Sequence, residues 1–167
     1  ACASEKAALD DLQVTQRREG DQLLLDIGGS NNHFSLSLFG NSYANLEVTV
    51  QLPANLPVTL SVGSGDADVS GVQQLQSNVG SGDLHVRKVS GKFGTSVGSG
   101  DVDATDIVSL ELGSVGYGDF KADGIKGDAR VGSIGSGDVT LRNVGGSAHA
   151  DTLGSGDLTA SDVTGDF

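Results

Sequence analysis

Carboxylates dominate the chemistry available to this chain. Of its 167 residues, 18 are Asp and only 4 are Glu. Six of the Asp residues, Asp66, Asp83, Asp101, Asp119, Asp138 and Asp157, each close a copy of one short Gly-rich motif. Pairs such as Asp66 with Asp68, and Asp101 with Asp103, also stand two residues apart. Two chemistries use carboxylates in this way. A hard divalent cation, chiefly Ca²⁺, takes oxygen ligands. A glycosidase sets a protonated carboxyl beside an ionised one.

The spacing favours neither. Calcium-binding β-rolls repeat Gly-Gly-x-Gly-x-Asp about every nine residues. Here Asp follows the second Gly directly and the period is doubled. A glycosidase acid needs burial to raise its pKa, whereas residues two apart on a strand share one exposed face. Stacked about 4.8 Å apart, neighbouring Asp residues repel by roughly 0.9 kcal/mol in water. Hydrogen bonds from turn N–H groups are the expected offset, with Ca²⁺ as the alternative, and no metal ligand set is assigned.

Other reactive residues carry less. Gly94-Thr95-Ser96-Val97-Gly98 matches the hydrolase elbow Gly-x-Ser-x-Gly. That motif works only on a strand–turn–helix bend, and no helix signal follows it here. His33, His85 and His149 lack metal-site spacing. Cys2 is the only Cys, so it is a lipid attachment site, half of an external disulfide or a free thiol. The net charge of −12 disfavours nucleic acid and anionic membranes, which are bound through Lys and Arg. The longest apolar runs, such as Leu23-Leu24-Leu25, are strand-sized, so no transmembrane segment is expected.

What positions these residues is a repeat. Gly-Ser-Gly-Asp starts at Gly63, Gly80, Gly98, Gly135 and Gly154, and Gly-Tyr-Gly-Asp starts at Gly116. Successive starts are 17, 18, 18, 19 and 19 residues apart. Aligned on that Gly, four columns are wholly apolar. One residue before it come Val62, Val79, Val97, Val115, Ile134 and Leu153; four after come Ala67, Leu84, Val102, Phe120, Val139 and Leu158. The columns six and nine after it, from Val69 to Ala160 and from Val72 to Val163, are equally apolar. The intervening columns are polar, so each copy carries an alternating strand with one buried face. A further column, Gly91, Gly127, Gly146 and Gly165 with Gln74 and Ser109 as exceptions, marks a second turn needing φ > 0 or close backbone approach.

Copies this short cannot hold a helical crossover. The architecture that buries every apolar column is an all-β parallel β-solenoid (a β-helix) of six coils, right-handed by the crossover rule. The second strand's length is expected to absorb the drift in period. The repeat region is placed at 63–167. Residues 1–62 are read as an N-terminal cap or degenerate coils. They comprise a short helix capped by Ser4, a hairpin over Leu12–Ile27 and alternating strands at Phe34–Leu38 and Leu46–Leu52, with turns at Asn31-Asn32 and Gly40-Asn41.

Val-Gly-Ser-Gly-Asp, followed by alternating small apolar residues and a Val-x-Gly turn, resembles the bacterial extracytoplasmic β-strand-repeat proteins described as adhesins. Leu46-Glu47-Val48-Thr49-Val50-Gln51-Leu52-Pro53 and Arg17-Arg18-Glu19-Gly20-Asp21-Gln22-Leu23 resemble that family's entry strands. The resemblance covers roughly residues 12–167. It implies a β-solenoid and export to the periplasm or cell surface, and it brings no catalytic residues.

The start at Ala1-Cys2-Ala3 implies a processed or trimmed end, and a processed one implies a signal peptide and secretion. The expected function is non-catalytic, polyvalent binding of a glycan or envelope component along outward strand columns. Asp68, His85, Arg87, Asp103, Lys121 and Arg142 are the candidate contacts. A structural spacer, self-associating at the solenoid ends, is the alternative. A carbohydrate-active enzyme is a weaker one.

Overall fold

The computed structural model describes residues 2–3, 12–19, 22–29, 44–45 and 49–167. These fall into two compact units, Ala1–Gln51 and Leu52–Phe167.

In the first unit, β1 (Cys2–Ala3) pairs antiparallel with β4 (Ala44–Asn45). The hairpin forms as β2 (Leu12–Glu19) and β3 (Gln22–Gly29), in register from Leu12 opposite Gly29 to Glu19 opposite Gln22. The helix capped by Ser4, the strand at Phe34–Leu38 and the turns at Asn31-Asn32 and Gly40-Asn41 lie outside the described residues. So does 46–48. Val50 and Leu52, read as strand, lie in irregular chain and are exposed.

The second unit is a parallel β-solenoid of about six coils, with no helix among the described residues. Each coil contributes a strand to each of two stacks. The first stack comprises β6 (Ala67–Ser70), the start of β8 (Leu84–Val97), the start of β9 (Val102–Val115), β10 (Phe120–Ile125), β12 (Val139–Val144) and β14 (Leu158–Val163). The second comprises β5 (Pro57–Val62), β7 (Gln74–Val79), the ends of β8 and β9, β11 (Ala129–Ile134) and β13 (Ala148–Leu153). The strand feeding the first repeat is thus itself a stacked strand. Partners follow the repeat alignment: Leu84, Val102, Phe120, Val139 and Leu158 stand side by side.

The apolar columns meet between the stacks. Leu84, Val86, Ile107, Phe93, Phe120 and Val144 are almost wholly buried. The Phe93 and Phe120 rings pack with centroids 6.4 Å apart. The second stack carries one polar intrusion. Ser77 and Thr95 occupy an inward column otherwise filled by residues such as Leu112 and Val131. The Ser77 hydroxyl donates to Thr95 Oγ1 at 2.7 Å, so neither burial leaves an orphan.

Strict alternation holds for only part of each first-stack strand. Eight residues after the signature Gly, all six coils adopt positive φ: Gly71 (70°), Lys88 (59°), Asp106 (55°), Gly124 (77°), Asn143 (53°) and Asp162 (55°). This left-handed residue takes up one extra step. It explains why the inward columns fall at six and nine rather than at six and eight.

The second-turn Gly column is not the positive-φ one. Its glycines answer to close approach instead: a Cβ on Gly91 would lie 2.7 Å from the Gln73 carbonyl oxygen. The drift in period is shared between two places, not confined to the second strand. Across the turn, Leu75 stands three positions after Val72, whereas Phe93 stands four after Val89. A bulge between Thr95 and Val97 then lengthens the later second-stack strands.

Candidate functional site

The Gly-Ser-Gly-Asp edge is built from backbone contacts. The first Gly of each signature offers its carbonyl to two N–H groups of the next coil. Gly63 O accepts from Ser81 N at 2.7 Å and Gly82 N at 3.2 Å, and the pattern recurs up the stack. The third position is Gly because the preceding coil already occupies the space. A Cβ on Gly82, Gly100, Gly118, Gly137 or Gly156 would collide with a carbonyl oxygen below it. Gly63 and Gly65, in the first coil, have nothing within 4 Å.

The Asp ladder continues this logic. Oδ1 of Asp66, Asp83, Asp101, Asp119 and Asp138 each accepts the backbone N–H of the next Asp, at 3.3, 3.2, 2.9, 3.3 and 3.0 Å. The charge-assisted bonds oppose the mutual repulsion of the carboxylates. Among the described residues, no group of three or more His, Cys, Asp or Glu side chains is arranged to hold a metal ion.

On the first stack, Asp68, His85, Arg87, Asp103, Lys121 and Arg142 all point outward and are exposed. The Arg87 guanidinium bonds Asp68 Oδ1 at 3.3 Å, and His85 Nδ1 lies 3.7 Å from Asp103. Lys121 and Arg142 make no ion pair or side-chain hydrogen bond among the described residues, although Lys121 stands in register with Asp103 and Arg142 with Asp123. Asp123 instead accepts from Asn143 Nδ2 at 2.6 Å.

The second stack carries a charged face that sequence reasoning missed. Glu111, Arg130 and His149 stand side by side in register on three successive coils. Lys92 pairs with Glu111. Arg130 Nη2 donates to both oxygens of Asp151 at 3.0 Å, and His149 Nε2 lies 3.0 Å from the same carboxylate. Lys92, Glu111, Asp128, Arg130, Ser147 and His149 line a shallow depression of about 480 Å³. The signal was the outward column Glu111–Arg130–His149, whose members each stand five residues before the Gly that opens the next signature.

The electrostatics of this face favour ionised carboxyls. The hydrogen bond and charge of Lys92 hold the Glu111 carboxyl below its ordinary range. The Arg130 hydrogen bond does the same for Asp151. Carboxyls held ionised in this way cannot serve as the protonated acid of glycoside cleavage. Ser96, the residue of the elbow-like motif, lies on a stacked strand next to buried Thr95 and Val97, with no helix after it.

The Toastrack DUF4097 family model matches residues 3–166. The chain belongs to the Toastrack family. The match spans both units and the whole repeat, and the family carries no assigned activity. No curated protein and no solved structure matches the chain. For this Toastrack chain the stacked coils are therefore shared family architecture, and function has to be sought in the outward side chains.

Proposed function

We propose that this Toastrack chain is an exported, non-catalytic binding module of the bacterial envelope. It holds a glycan or another envelope component by repeated weak contacts along its outward columns. The supporting observation is the first-stack face, where Lys121 and Arg142, without an ion pair among the described residues, stand in register beside Asp103 and Asp123. Contacts that repeat at a fixed spacing add without new binding chemistry.

Retention on isolated cell-wall material tests this reading. Lys121→Glu with Arg142→Glu should reduce retention severalfold while leaving the melting temperature within a few degrees. Undiminished retention would sink it. Binding requires no cofactor in this reading. Millimolar Ca²⁺ should leave the melting temperature unchanged, because backbone N–H groups already bond the Asp ladder.

A second reading is an assembly module. In the sixth coil Leu153 is exposed, and Leu158, Ala160 and Val163 are only partly buried. Concentration-dependent light scattering, abolished by Leu158→Asp, would favour it; scattering of a monomer at every concentration would remove it.

A further inference from the structure

The row of side chains at the second signature position is Ser64, Ser81, Ser99, Tyr117, Ser136 and Ser155. Five hydroxymethyl groups and one phenol occupy equivalent places. Tyr117 uses the same backbone bond as the serines, donating its N–H to Gly98 O at 2.7 Å. Its side chain makes no hydrogen bond or ring contact among the described residues. It is 80% exposed, and the ring pair among the described residues is Phe93 with Phe120. Ser meets the structural need in five coils, so stability does not account for an aromatic ring standing in water.

We propose that Tyr117 is the stacking platform of a subsite for an uncharged sugar unit on this edge. The proposal rests on the binding role given above, but places a contact outside the columns that carry it. A pyranose has an apolar C–H face and a rim of hydroxyls. The Tyr ring covers the first. Ser99 and Ser136, about one coil spacing to either side, and the carboxylates of Asp101, Asp119 and Asp138 meet the second as donors and acceptors.

The same neighbours argue against other ligands. A protein hot spot needs apolar residues around the aromatic to exclude water, and these five are polar. A uronate or phosphate would face a row of like charges.

The experiment uses the intrinsic fluorescence of the chain, which has no Trp and only two Tyr. In a Tyr43→Phe background, emission reports Tyr117 alone. Hexameric cello- and chito-oligosaccharides are the neutral probes, and hexagalacturonate is the acidic one. The expected result is a saturable change with a neutral probe and none with hexagalacturonate.

Tyr117→Ser restores the residue used in the other five coils, so its melting should match the parent. It should weaken retention on the immobilised neutral glycan about two- to tenfold, and Tyr117→Trp should preserve retention. The proposal is overturned if Tyr117→Ser is retained as well as the parent, or if no neutral probe changes the emission. Retention that falls with Lys121→Glu but not with Tyr117→Ser would overturn this subsite and leave the wider binding role standing.

Discussion

At one corner of the solenoid, six coils use Gly-Ser-Gly-Asp with a single exception at Tyr117. At the opposite corner the equivalent column reads Gln74, Gly91, Ser109, Gly127, Gly146 and Gly165, and the turn varies in length. The difference lies in what each corner stacks on. At the first, backbone rests on backbone: one carbonyl accepts two N–H groups, a carboxylate takes a third, and no side chain fits at the third position. An inserted residue would undo all three bonds. At the second corner the approach is close but less severe, a Cβ lying 2.7 Å from the Gln73 carbonyl oxygen at Gly91 and 3.0 Å from the Val108 carbonyl oxygen at Gly127, against 1.8–1.9 Å at the third signature position. Variation in coil length is accommodated there and in the bulge that follows, because each tolerates an added residue.

Substitution at the glycines should separate the corners most sharply. Gly118→Ala forces a Cβ into the Gly100 carbonyl and should cost on the order of 3 kcal/mol in urea unfolding. Gly127→Ala should cost nearer 1 kcal/mol, and Gly65→Ala, whose Cβ would meet nothing within 4 Å, less than about 0.5 kcal/mol. Equal losses at Gly118 and Gly65 would show that stacking does not dictate the motif.

The Asp ladder offers a finer probe. Asp119→Ala leaves the Asp138 N–H without its acceptor and should cost about 1 kcal/mol. Asp157→Ala removes no such rung and should cost distinctly less. A comparable loss at both would assign the Asp residues to something other than the ladder.

A smaller gain is expected between the corners. Lys88 is the one long side chain held at positive φ in a column otherwise of Gly, Asn and Asp. Lys88→Asn should raise stability by roughly 0.5 kcal/mol. Unchanged unfolding would mean that the backbone there is not strained.

The smallest effect belongs to the second-stack ion pairs. Glu111 and Asp151 have depressed folded-state pKa values, so their contribution is present above the unfolded values and is lost as pH falls through the folded ones. The stability gap between the parent and the Glu111→Gln, Asp151→Asn variant should be small at neutral pH. It should close in the acid range below ordinary carboxylate values, and again in high salt. A gap that persists in acid would contradict the ion-pair assignment.

Sequence alone revealed much of the fold, because stacking turns each structural column into a literal column of residue types. Val102, Phe120 and Val139 could be placed side by side from their spacing, and they are in register. The left-handed column was legible in principle, since Gly71, Gly124 and Asn143 favour that conformation, but Lys88 disguised it. The Ser77–Thr95 pair was not legible, because two hydroxyls at an inward position read as a break in the pattern until they bond each other. The column of Glu111, Arg130 and His149 was legible from its fixed distance to the next signature, but its pairing with Lys92 and Asp151, which lie outside that column, was not.

The corner bonds also run mostly one way. Every signature N–H of a coil donates to the coil before it, while its first carbonyl and its carboxylate wait for the coil after; only the Asp carbonyl turns back, as Asp101 O does in accepting from Leu84 N. Taking a coil away from the late side of the repeat would leave, at this corner, carbonyls and a carboxylate, which water satisfies readily, and one strand N–H, that of Val139 in the case of the last coil. Taking one from the early side would strip acceptors from a row of N–H groups. The architecture is therefore lopsided at this corner as a unit of evolutionary change: adding or losing a coil disturbs fewer donors at the last coil than at the first.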